Sequence, residues 1–247
     1  MGILILLTWG AESDAREIRI FAAASTVQVV QDLTQHWEET GGKQVRAVLG
    51  SSGSLARQVS LGAPADLYFS AAKGWVDYLL DKKIAQPGTR QTLATNRLVL
   101  ISSPDARTPN AFNPNRDIIR LLGPTGRIAL GDPGHVPAGQ YARQALKKLQ
   151  LWKVLRRRAV RTQNVRLALA LVEQSETPLG IVYRSDVFHR KRVSILYTLP
   201  ETLHSPIEYQ IVAIRNAIGG ASEFLSFLSS ESGGEIFRKN GFSPVGN

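Results

Sequence analysis

Residues 18–37 read IRIFAAASTVQVVQDLTQHW. Ile18, Ile20 and Phe21 lead a short apolar run that ends in three alanines, and Ser25 stands directly before a segment in which Val27, Val30, Leu33 and Trp37 recur at helical spacing. The pattern predicts a strand, a tight turn of small residues, and a helix with serine at its N-cap. A helix start offers backbone N–H groups without intrahelical partners and the positive end of the helix dipole, so such a unit can seat an anion. It is equally the ordinary way to begin a helix.

The unit recurs along the chain. Residues 45–49 form a second apolar strand, followed from Gly50 by GSSGSLARQVSLGAPADLYFSA, in which Gly50 to Ser54 give turn freedom and hydroxyls and Leu55 to Val59 a short helix. A third copy runs from a strand at 127–130 through GDPGHVPAG to a helix over 138–151, where Pro137 and Gly139 leave backbone N–H groups open. Asn164 is placed to cap a helix over 165–174. Further strands are predicted at 66–70, 96–102, 179–183, 193–199 and 207–214. A helix is predicted around Trp75 to Lys83, Ser185 or Asp186 is placed to cap the segment after the strand at 179–183, and one or two helices close the chain over 221–240. Strands alternate with helices, which argues an α/β protein with mostly parallel sheets. The segment 103–115, with three prolines and three asparagines, is the candidate neighbourhood of a lobe boundary.

Length and composition suit one large or two medium lobes: 247 residues, 43% hydrophobic and 20% charged. There is no cysteine, which excludes disulfides and thiolate metal sites. The formal net charge of +10 favours anionic partners. The opening MGILILLTWGAESDA holds an apolar run too short to span a bilayer, and it resembles a signal peptide without its basic start; a disordered tail is the alternative.

Enzyme motifs fail on spacing. The stretch from Gly50 to Ser54 places serine where a hydrolase elbow needs its second glycine, and neither GxxxxGK[ST] nor GxGxxG occurs. The four histidines, His36, His135, His189 and His204, lack metal-ligand spacing and read as surface or structural residues. Between Lys147 and Arg166 stand eight basic residues and no acidic one, a solvated face unless a polyanion or a partner docks there. What remains is the convergence of strand-to-helix turns on one cleft. A small anion held there would meet only N–H and hydroxyl donors. Such a site suits a fully ionised tetrahedral dianion better than one carrying a proton, provided Asp132 points elsewhere.

At these residues the sequence resembles the periplasmic molybdate-binding proteins of ABC importers. The resemblance is carried by FAAAS (21–25), GSSGSLARQV and GAPADLYFSA, WVDYLLDKK (75–83), TRQTLATNRLVLIS, GDPGHVPAGQYARQAL (131–146), VRLALALVE (165–173), PLGIVYRSD (178–186) and EIFRKNGF near the end. It implies a type II periplasmic binding protein fold: two α/β lobes, residues 17–96 with 208–247 and residues 97–207, behind a leader at 1–16, with a ligand cleft between them. It also implies that molybdate, and tungstate with it, is held by Ser25, Ser52, the N–H groups of Ala138 and Val165, and the Tyr183 hydroxyl, without a direct metal ligand. No catalytic residue or cofactor is implied; a membrane permease, a periplasmic location and a monomer are. Another oxyanion such as sulfate, or a ligand-sensing regulatory domain, are the alternatives. Thr26 stands where the family usually has a larger apolar residue, and Gly53 interrupts what is often a serine run.

Overall fold

Alternate residues of the opening strand face opposite ways, and apart from the half-buried Arg19 both sides are apolar. The computed structural model, which describes residues 16–106, 109 and 111–245, resolves what each side packs on. The predicted leader lies, apart from Arg16, outside the described residues. In chain order the first elements are β1 (Ile18–Ala23), α1 (Val27–Glu39), β2 (Val45–Gly50), α2 (Ser52–Ser60), β3 (Leu67–Ser70), α3 (Lys73–Asp81) and β4 (Gln91–Thr95). Then come β5 (Leu98–Ser102), α4 (Pro114–Leu122), β6 (Ile128–Gly131), α5 (Pro137–Lys148), α6 (Trp152–Arg158), β7 (Ala159–Thr162), α7 (Val165–Glu173), β8 (Leu179–Tyr183) and β9 (Ser194–Thr198). The chain closes with β10 (Glu208–Ala213), α8 (Ala221–Leu228), α9 (Glu231–Lys239) and β11 (Ser243–Pro244).

Two sheets result, one ordered β11-β4-β10-β3-β1-β2 and the other β7-β6-β8-β5-β9. In the first, Ile18, Ile20, Leu67 and Phe69 share a core with Val29, Val30 and Leu33 of α1 and with Phe224 and Phe237 of the closing helices. The opposite face sends Phe21, Tyr68 and Val212 into a second core with Leu55, Val59, Val76 and Leu79 of α2 and α3. Helices therefore cover both faces, which is why the strands read as continuous apolar runs rather than as alternation. The second sheet is built the same way, its Leu98 to Ile101, Ile128 to Leu130 and Leu179 to Val182 buried against helices that include α5 and α7.

The sheets are mixed rather than mostly parallel. Of nine strand pairings among the described residues, β1 with β2 and β3, and β6 with β7 and β8, are parallel; the other five are antiparallel. Each sheet is completed by strands adjoining a crossing between the two: β5 lies antiparallel to β8 and β9, and β10 antiparallel to β3 and β4. The chain passes from the first sheet to the second at Asn96 and Arg97, between β4 and β5, and returns between β9 and β10. The Pro- and Asn-rich segment expected near a lobe boundary instead comes after β5, within the second sheet's portion of the chain.

Candidate functional site

Six strand ends point at one place. The C-terminal ends of the parallel strands β1, β2 and β3 meet those of β6, β7 and β8 across the gap between the sheets. The residues at and just beyond them line one small, tight cavity: Ala24 and Ser25, Ser51 and Ser52, Ala71, Val136 to Ala138, Asn164 and Val165, and Tyr183. All five residues nominated from the sequence, Ser25, Ser52, Ala138, Val165 and Tyr183, therefore share a single cavity, and all five are buried. No acidic or basic side chain lines it.

Each donor is left open by a local cause. In α5 the first residue is Pro137, which has no N–H, and Val136 supplies no side-chain cap, so the Ala138 N–H precedes the first intrahelical bond. In α7 the Asn164 side chain does cap, but it accepts from Leu167 at 3.0 Å and leaves the N–H of Val165 without a protein partner among the described residues. In α2 the cap is Ser51, which accepts from Ser54. Ser52 is thereby freed: its Oγ accepts from the N–H of Ala71 at 3.1 Å, while its carbonyl accepts from the Tyr68 hydroxyl at 2.7 Å.

Ser25 departs from its expected role. It caps no helix but sits inside a 3-10 turn, Ala24–Thr26, and α1 begins after Thr26. Thr26 holds that turn by donating its buried hydroxyl to the Ala23 carbonyl at 2.7 Å, a bond the larger apolar residue usual in the family could not make. Relieved of capping, the Ser25 Oγ accepts from the Tyr209 hydroxyl at 2.8 Å. Tyr209 was not nominated from the sequence, because its surroundings read only as a buried strand.

The Tyr183 hydroxyl is fully buried and finds no hydrogen-bond partner among the described residues. Burial first, then the neighbouring Tyr209, Tyr141 and Asp186, push its ionisation well above the usual phenol range, so it keeps its proton and can donate. Behind it Asp186 accepts from the Tyr183 N–H at 3.1 Å and pairs with Arg166 at 3.4 Å. Asp132 turns away from the cavity and accepts from the Gly134 N–H at 2.7 Å. Among the described residues no group of three His, Cys, Asp or Glu is placed to hold a metal ion.

The two halves touch at the cavity rim. Gly53 donates its N–H to the His135 carbonyl at 3.0 Å, and a Cβ there would lie 2.5 Å from that oxygen and 2.5 Å from the Trp75 ring. The glycine that breaks the serine run is thus what lets the two halves approach. Gly139 plays the matching part inside the second half: a Cβ would lie 1.8 Å from the Gly131 carbonyl, so only glycine allows α5 to start against the end of β6. Beside the cavity a groove of about 470 Å³, lined by Asp32, Arg166, Asp186, Arg190 and Lys239 among others, meets it at Ser25.

Two sets of donors, one from each sheet, thus face a single cavity. Residues 18–243 match the family model described as bacterial extracellular solute-binding protein. The chain belongs to that family. This solute-binding protein is 41% identical over 236 residues to the molybdate-binding protein ModA of Escherichia coli strain K12, covering 94% of this chain and 91% of that one. Among solved structures it is similar to the substrate binding domain of a putative molybdenum ABC transporter from Clostridium difficile, at 32% identity and TM-score 0.71 over 93% of this chain and 99% of that one. The Azotobacter vinelandii periplasmic molybdate-binding protein shares the two-lobed fold at TM-score 0.80, 24% identity and 94% and 100% coverage.

Proposed function

We propose that this solute-binding protein captures molybdate, and tungstate with it, in the cavity between its lobes and delivers it to the permease of an ABC importer, acting as a monomer in the periplasm. The lobes are residues 17–96 with 208–247 and residues 97–207. Ser25 and Ser52 bind through their hydroxyls, Ala138 and Val165 through their N–H groups, and Tyr183 through its hydroxyl. The observation that carries this is a cavity of buried residues into which Ser25, Ser52, Tyr183 and the N–H groups of Ala138 and Val165 are free to donate and which, among the described residues, no charged side chain lines. A fully ionised tetrahedral dianion accepts every bond such a lining offers. Its charge is met by many dipoles, including the starts of α5 and α7, rather than by an ion pair. The relatives named for molybdate make this oxyanion the first candidate. Sulfate carries the same charge and acceptors and is the second.

The test is the melting temperature of anion-stripped protein with molybdate, tungstate, sulfate and phosphate in turn. A ligand at about a thousand times its dissociation constant adds roughly 4 kcal/mol, which for a chain of this size raises the midpoint by about 8 to 16 °C. Such a shift with molybdate and tungstate is expected. A shift with sulfate alone replaces the substrate, and no shift with any of the four overturns the proposal.

A further inference from the structure

A chain of hydrogen bonds with a fixed direction runs from the crossing between the sheets into the cavity. It begins at Asn96, whose side-chain oxygen accepts from the N–H of Arg97 at 2.9 Å and from the N–H of Ser185 at 3.4 Å. Backbone N–H groups only donate, so the amide oxygen faces them and the amide nitrogen faces the other way. That nitrogen lies 2.7 Å from the Ser185 hydroxyl and 3.5 Å from the Tyr209 hydroxyl, and it too only donates. The Tyr209 oxygen is therefore an acceptor on that side, and its own proton goes to Ser25 Oγ, 2.8 Å away. Ser25 in turn finds no protein acceptor for its proton among the described residues, which leaves the cavity it lines and the groove that meets it there.

We infer that Asn96 and Tyr209 are positioning residues that fix Ser25 as a donor and thereby select a fully ionised oxyanion over one that still carries a proton. The inference rests on the oxyanion-binding function proposed above. A protonated anion needs an acceptor; for Ser25 to provide one, its hydroxyl proton would have to turn from the cavity toward the groove, where no hydrogen-bond partner receives it among the described residues. Ser52 is biased in the same direction, since its oxygen already accepts from Ala71. Selectivity against a proton is thus set partly at the crossing between the lobes, outside the cavity.

Tyr209→Phe isolates the effect, because the ring is fully buried against Phe69, Phe242 and Tyr183 and phenylalanine keeps that packing. Dissociation constants for molybdate, hydrogen phosphate and hydrogen arsenate are measured by calorimetry at about pH 8.5, where all three are dianions and overall charge cancels from their ratios. The expected result is molybdate binding weakened about ten-fold, with hydrogen phosphate and hydrogen arsenate nearly unchanged, so that the preference narrows about ten-fold. Equal weakening of all three, or no change, would overturn the inference, because loss of a merely structural bond does not alter a ratio. Asn96→Asp is the second variant: it puts an acceptor where the amide donates, reverses the chain, and is expected to narrow the same ratio. Wild-type protein that binds hydrogen phosphate as tightly as molybdate would remove the selection and leave the site standing. Wild-type protein that binds no oxyanion would instead remove the proposed function, and the inference with it.

Discussion

The ring Nδ1 of His135 lies 2.7 Å from the hydroxyl of Ser51, the residue that caps α2 on the opposite side of the cleft. The same loop accepts from the Gly53 N–H through the His135 carbonyl and from Arg57 through the Gly134 carbonyl at 3.3 Å. These bonds join the two halves across the cleft. His135→Ala removes the side-chain contact and keeps the backbone one. It is expected to speed molybdate release by about three- to ten-fold, the equivalent of one net hydrogen bond, with association little changed. Stopped-flow dissociation checks this, and an unchanged off-rate would show that the contact does not hold the closed form.

Tyr183→Phe separates stability from binding. The hydroxyl is buried and unpartnered, so its removal relieves the cost of an unsatisfied group and leaves the ring packed. The ligand-free variant is expected to melt no lower than wild type, while oxyanion affinity falls by about ten-fold or more. Calorimetry and thermal melts of the two proteins decide it; loss of stability without loss of affinity would make Tyr183 a core residue only.

Asp186 gives a pH signature. Burial pushes its carboxyl up to about 6 against the opposing pull of Arg166 and the Tyr183 N–H. A carboxyl whose folded value lies above its unfolded one favours folding fully at pH below the unfolded value, and that advantage is lost as pH rises through about 6. In Asp186→Asn the dependence disappears. The stability of the variant relative to wild type is therefore expected to increase between about pH 4 and pH 6 and then level off, by an amount on the order of a few kcal/mol. Denaturant melts across that range check the slope, and a flat difference would contradict it.

The basic run Arg156, Arg157, Arg158 divides in two. Arg158 turns inward and donates to the carbonyls of Leu122, Gly123 and Gly126, covering the C-terminal end of α4. Arg156 and Arg157 are exposed. Arg158→Ala is expected to lower stability by about 2 kcal/mol, and alanine at either neighbour to change it by less than about 0.5 kcal/mol. Urea titration of the three variants would refute the division if all three behaved alike.

Much of the fold was legible because its central strands are buried on both faces and stand out as apolar runs, each followed by small residues and a helical period. Strand direction was not legible: nothing local in EYQIVA marks β10 as antiparallel to β3. The elements left out were those whose sequence is dominated by something else. In α6 the charges hide a helix with one buried contact, Leu155, and β4 and β7 are short and polar. For α4 the signal existed, since Asn113 caps it and Pro114 opens it, but three prolines and three asparagines make that region read as loop. The cavity itself was foreshadowed by its turns, and Tyr183 only by resemblance. Tyr209 could not be found, because the serine it serves lies 184 positions away along the chain.

The cavity's lining carries consequences for release. Among the described residues its only titratable member is a tyrosine held in its protonated form, and the other polar side chains there are the hydroxyls of Ser25, Ser51 and Ser52 and the amide of Asn164. Among the described residues, no side chain lining the proposed site gains or loses charge across the physiological pH range. The proposed grip is therefore expected not to loosen by titration of its own lining. Release is then expected to be mechanical: separating His135 from Ser51 would take one set of donors off the ligand while the other still holds.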